Sequence, residues 1–103
     1  MENKAIYEAI KDAVVTVPGV VSFANYSAKS HLDIRTNDIN KAVEMSMTDN
    51  IYRTKIHIIL INGVNIRDVV NEVQIRVKYE LEKLSQFVRN YIVDIAVDDL
   101  EII

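Results

Sequence analysis

The stretch Ala42–Gly63, AVEMSMTDNIYRTKIHIILING, decides the fold. Val43, Met45 and Met47 alternate with Ala42, Glu44, Ser46 and Thr48, which is the period of a strand that sends successive side chains to opposite faces. Asp49-Asn50 follows, a pair that accepts turn conformations and hydrogen-bonds its own backbone. Alternation then resumes: Tyr52, Thr54, Ile56, Ile58 and Leu60 share one face, and Arg53, Lys55, His57, Ile59 and Ile61 share the other. The pattern predicts a β-hairpin, closed by Asn62-Gly63.

Reading outward from the hairpin, Asn65 stands where a helix N-cap belongs, with Asp68 three residues on as a capping-box acid. A helix from Ile66 to about Ser85 follows, its buried stripe formed by Ile66, Val70, Val73, Val77, Leu81 and Leu84, flanked by Val69. Glu72 with Arg76, and Arg76 with Glu80, are spaced to pair on its exposed side. Val93, Ile95 and Val97 then alternate with Ile92, Asp94 and Ala96 as a last strand, ended by Asp98-Asp99. On the N-terminal side, Ile6, Ala9, Ile10, Ala13 and Val17 form one stripe of a helix that begins near Asn3. Pro18-Gly19 terminates it. Val20 to Phe23 reads as a short strand, and Asn25 to Asn40 as a long loop with a strand fragment. The order helix, short strand or loop, hairpin, long helix, strand predicts a single domain over residues 1–103. It is an α/β fold, a two-layer sandwich with a small mixed sheet and the helices on one face, since each apolar surface needs another to cover it.

The chain has 103 residues, 50% of them hydrophobic and 26% charged, the balance of a chain that builds one core and not of a disordered one. It has no cysteine, so disulfides and thiolate metal sites are excluded and the expected location is the cytoplasm. Met1-Glu2-Asn3-Lys4 does not begin a signal peptide. The apolar run Ile56 to Ile61 is far short of the roughly 20 residues a spanning helix needs, so direct membrane insertion is not expected.

Catalytic chemistry finds few candidates. There is no Cys nucleophile and no Gly-x-Ser-x-Gly turn. His31 and His57 are far apart, with no acid at a spacing that marks a triad or a metal site, and His57 reads as a polar residue on the solvent side of its strand. Asp33 and Asp38 beside Asn37 and Asn40, and Asp94, Asp98, Asp99 and Glu101, lack the spacing of a calcium loop and read as solvated turns. Gly19 and Gly63 are the two glycines, too far apart for a phosphate-cradling loop. No cofactor is expected. A small KH-like nucleic-acid module is the alternative, using Arg53, Lys55 and His57 on one strand face. The Gly-x-x-Gly loop of such a module is absent, and Glu44 and Asp94 on adjacent strands are placed to neutralise the cations.

The residues left over are apolar. With both helices on one side of the sheet, its second side carries Ile59, Ile61, Ile92 and Ala96. Ile75 and Tyr79, four apart on the long helix, point away from its buried stripe. Contiguous exposed apolar surface marks protein interfaces, so Ile59, Ile61, Ile92, Ile75 and Tyr79 are the candidate interface. The competing expectation is that the 25–40 segment folds over the sheet and that Ile75 and Tyr79 only touch each other.

The amphipathic helix running into Pro18-Gly19-Val20, the hairpin entering Gly63-Val64-Asn65-Ile66, then Val73-Gln74, Val77 and Leu81-Glu82, and the closing Val93-Asp94-Ile95-Ala96-Val97 resemble the alkaline shock protein family of bacterial cell-envelope stress proteins. Gln86 stands where that family has a glycine after the long helix, and Asn25 to Asn40 has no counterpart in it. The resemblance implies an abundant, cytoplasmic, non-enzymatic protein that acts by self-association or through another protein. It also implies a peripheral link to the membrane through a partner, or a partner such as a fatty-acid kinase of the dihydroxyacetone-kinase type.

Overall fold

The computed structural model describes residues 2–86 and 89–102. Helix α1 spans Glu2–Val15, strand β1 Val20–Ala24, a short strand β2 Arg35–Thr36, strands β3 Val43–Thr48 and β4 Ile51–Ile61, helix α2 Ile66–Leu84, and strand β5 Asn90–Glu101. Two single 3₁₀ turns, His31–Asp33 and Ile39–Lys41, lie within the 25–42 segment. This is the expected two-layer α/β fold with a mixed sheet.

The hairpin forms as its sequence dictates. Asp49 and Asn50 take φ of 51° and 66°, the left-handed pair of a two-residue turn whose twist matches the flanking strands. The register pairs Val43 with Ile56, Met45 with Thr54 and Met47 with Tyr52. Strand β4 is the centre of the sheet. Its first half pairs with β3 and its second half with β1, both antiparallel, while β5 runs parallel to it along its length. A parallel neighbour cannot be reached by a hairpin, and α2 supplies the crossover. Asn65 Oδ1 accepts from the Asp68 amide at 3.1 Å, capping α2 at its predicted start.

The helices pack on the face of β4 that carries Thr54, Ile56, Ile58 and Leu60. Ile6, Ile10 and Val14 from α1, Val17 just beyond its end, and Val73, Val77 and Leu81 from α2, meet these residues together with Phe23, Val43, Tyr91 and Val93. The predicted α2 stripe is narrower at its ends, where Ile66 and Leu84 are exposed because the helix outruns the sheet beneath it. Arg76 donates to Glu72 at 2.7 Å as spaced, but turns its guanidinium to the Thr16 carbonyl and hydroxyl and not to Glu80, tying α2 to the end of α1. Gln74 Nε2 donates to the Val93 carbonyl at 2.6 Å and fixes α2 over β5.

Strand β5 is longer than its alternation predicts. Asp98-Asp99 does not terminate it; pairing with β4 continues to Glu101, across a bulge between Ile58 and Ile59. Gly19, at φ +98°, occupies a conformation that L side chains rarely adopt, and a Cβ there would lie 3.2 Å from Val69 Cγ2. Gln86, where the resembled family has glycine, holds φ +56° just past the end of α2. That is the left-handed position glycine fills at many helix ends. Replacing Gln86 with Gly relieves this strain and is expected to raise stability by up to about 1 kcal/mol, measured by chemical denaturation. Thr54 is fully buried, and its Oγ1 has no hydrogen-bond partner among the described residues. Thr54→Val removes that unsatisfied hydroxyl at nearly constant shape, with an expected gain of roughly 1 kcal/mol in the same measurement.

Candidate functional site

Alternation along β4 sends Arg53, Lys55, His57, Ile59 and Ile61 to the face opposite the helices. This second face is not bare. Tyr26, His31 and Arg35 of the 25–42 segment reach across it, while Ile39 and Ala42 turn back to the helix-side core. The segment is held at its base by the Asn25 amide on the Ile34 carbonyl at 2.6 Å, the Tyr26 amide on the Lys41 carbonyl at 3.0 Å, and the antiparallel pairing of β2 with β1. Asp38 accepts from the Asn40 amide and Thr36 Oγ1 from the Asp38 amide, so these polar residues shape the turns of the segment.

Beneath the segment lies His57, 7% exposed. Its Nε2 is 2.6 Å from Glu44 Oε2 on β3, and its Nδ1 is 2.8 Å from Asp98 Oδ2 on β5. The Tyr26 ring lies over it, centroids 5.4 Å apart. The expectation of a lone His on the solvent side of a strand is therefore corrected: the ring is buried, with a carboxylate on each nitrogen. The bulge brings Asp98 there. Val97 pairs with Ile58 and Asp99 with Ile59, which leaves Asp98 as the extra residue beside His57. Only doubly protonated imidazolium offers two N–H donors, so it is the form that satisfies both carboxylates.

Two more acids of β5, Asp99 and Glu101, also meet basic groups. His31 Nε2 lies 3.6 Å from Asp99 Oδ2, and Arg35 Nη1 reaches Glu101 Oε1 at 3.1 Å. Asp98, Asp99 and Glu101 are thus strand residues facing basic side chains, and not the solvated turn their clustering suggested. Among the described residues, no group of three or more His, Asp or Glu side chains is arranged to hold a metal ion.

Each candidate interface residue can now be placed. Ile59 is 1% exposed, so it cannot dock a partner as expected; it is buried under the 25–42 segment with Ala24, outside the helix-side core. Ile61 and Ile92 are half-buried. Ile75 and Tyr79 are 64% and 54% exposed. They line an open groove with Asp12, Ala13 and Thr16 between the two helices, and Tyr79 carries the Lys83 ammonium over its ring at 5.5 Å. For the nucleic-acid alternative, Arg53 and Lys55 are exposed, but His57 is withdrawn beneath the segment. Lys55 stands between Glu44 and Asp94 in the cross-strand register, as the sequence suggested.

The chain matches no protein-family model, no curated protein and no solved structure in the comparisons made. Among the described residues no helix is long and apolar enough to cross a membrane.

Sequence reasoning missed the His57 cluster for a definite reason. Glu44 is a cross-strand neighbour that hairpin register could have supplied. Asp98 needs both the parallel pairing of β4 with β5 and the bulge, and neither has a local signature. Ile59→Glu would place an unpaired charge in a buried site. It is expected to destabilise the fold by at least about 3 kcal/mol in thermal or urea unfolding, where an exposed interface residue would leave stability nearly unchanged.

Proposed function

We propose that this protein is a non-enzymatic interaction module that works through protein contacts on the outer face of its two helices. The observation that carries the reading is the pair Ile75 and Tyr79, more than half exposed and one helical turn apart beside the α1 end, where they border a groove with an apolar floor at Ala13. Large exposed apolar side chains grouped in this way are the usual signature of a surface that another protein covers. Tyr contributes large contact area at low entropic cost.

The histidine cluster supports the non-enzymatic part of the proposal. A catalytic dyad uses one imidazole nitrogen to hold an acid and keeps the other for the nucleophile or substrate. Here both nitrogens of His57 face carboxylates, so the ring has none left for a reacting group. The resemblance to alkaline shock proteins points the same way, to contacts that serve cell-envelope homeostasis from the cytoplasmic side, by self-association or through a partner at the membrane.

Light scattering after size exclusion tests the proposal. The parent chain is expected to exceed the 11.8 kDa monomer mass as concentration rises, or to capture a protein partner, and Ile75→Glu should abolish either without lowering thermal stability. A parent that stays monomeric at high concentration and retains no partner would overturn it.

A further inference from the structure

Side-chain contacts join the segment to the second face of the sheet, and two of them involve imidazole, while its last part, Ile39 and Ala42, packs against the helix-side core. Tyr26 lies on the ring of His57, His31 faces Asp99, and Arg35 binds Glu101. His57 is the buried member, bridging β3 and β5 through Glu44 and Asp98 directly below the segment. We infer that residues 26–35 form a proton-controlled strap, closed over the sheet while His57 bridges Glu44 and Asp98 as imidazolium, and released when that ring gives up a proton.

The argument is one of donors and acceptors. Imidazolium has two N–H groups, and each has a carboxylate oxygen within hydrogen-bonding distance. Neutral imidazole keeps one. The nitrogen that loses its proton then turns a lone pair toward a carboxylate 2.6 or 2.8 Å away, depending on the tautomer. The cluster's charge falls from −1 to −2 in a site where the ring itself is only 8% exposed. Unpaired or opposed polar groups are costly in such surroundings. The Glu44 side chain is 46% exposed and Asp98 26%, so the carboxylates already reach water, whereas the ring reaches it only if Tyr26 and the strap move.

The surrounding charges do not cancel this change. Lys55, two residues back on the same face of β4, lies between Glu44 and Asp94 and forms no ion pair with either within 4 Å. Lys29 and His31 from the strap border the same cleft as Asp98. Deprotonation of His31 also removes a cation facing Asp99, so the two histidines act in the same direction. Proton loss loosens the strap; proton gain tightens it. The surface uncovered includes Ile59 and Ala24, which the helices do not cover.

Amide hydrogen exchange, expressed as protection factors so that the intrinsic pH effect on exchange is divided out, tests this on the intact chain at about pH 5 and about pH 8. Protection of the Asn25 and Tyr26 amides is expected to fall at least about tenfold at the higher pH, the equivalent of one lost charge-assisted hydrogen bond, while the β4 amides paired with β5 hold steady. Glu44→Gln and Asp98→Asn can each present an N–H to the bare ring nitrogen, and both should keep the strap protected at high pH. His57→Gln should remove the response, and His31→Asn should retain most of it. Strap protection that does not change with pH in the parent overturns the inference. So does a Glu44→Gln variant that responds like the parent, or a response that disappears with His31→Asn alone. Glu44 is exposed enough that its substitution decides the question even if His57→Gln does not fold.

Discussion

Strand β4 must be hydrogen-bonded on both edges and, from Ile56 to Leu60, buried on both faces, and the rest of the fold is arranged to meet that requirement. Its 11 residues pair with β5 on one side and with β3 and then β1 on the other. Pairing on both edges supplies partners for the backbone donors and acceptors of this central strand. The parallel member of these pairings requires a long crossover, which explains why the longest helix lies between β4 and β5 in sequence and across them in space. Ile56, Ile58 and Leu60 then provide the floor on which α1 and α2 pack together.

Burial of the second face follows from the same strand but is solved with different chemistry. Two helices cover one side with apolar contacts, while a largely irregular segment covers the other with a ring stack, charge pairs and its own turn hydrogen bonds. His57 is the result of placing a polar side chain in a strand enclosed from both sides. Two carboxylates arriving from the flanking strands convert a costly buried imidazole into a bridge across three strands. The acidic end of β5 gains from the arrangement, because Asp98, Asp99 and Glu101 each meet a basic side chain, while along the strand's free edge charge discourages pairing with other chains.

The proposed interaction surface lies on the helices. Among the exposed apolar residues of the two helices, Ile75 and Tyr79 are the pair that lines a groove between them. Arg76 fixes the relative placement of the two helices beside this groove, through Glu72 on its own helix and Thr16 on the other. The proposed interaction surface, built on two braced helices, presents its apolar residues with little conformational freedom to lose on binding.

The sequence by itself determined the elements and their layers. Alternation in 42–61, the Asp49-Asn50 turn, the Asn65 cap and the two helical stripes are local patterns with local physical causes, and the helices and hairpin formed close to where those patterns ended. The exposed pair Ile75 and Tyr79 was legible for the same reason, since helical periodicity alone assigns a residue to a face. Tertiary structure decided what covers the second face, and with it the burial of Ile59 and the surroundings of His57. Those outcomes depend on contacts between residues up to 66 apart, such as Arg35 with Glu101, and on a bulge that shifts β5 by one residue. No pattern within a strand's own sequence encodes which irregular segment will lie on it, because that choice is made by the pairing of distant side chains once the sheet exists.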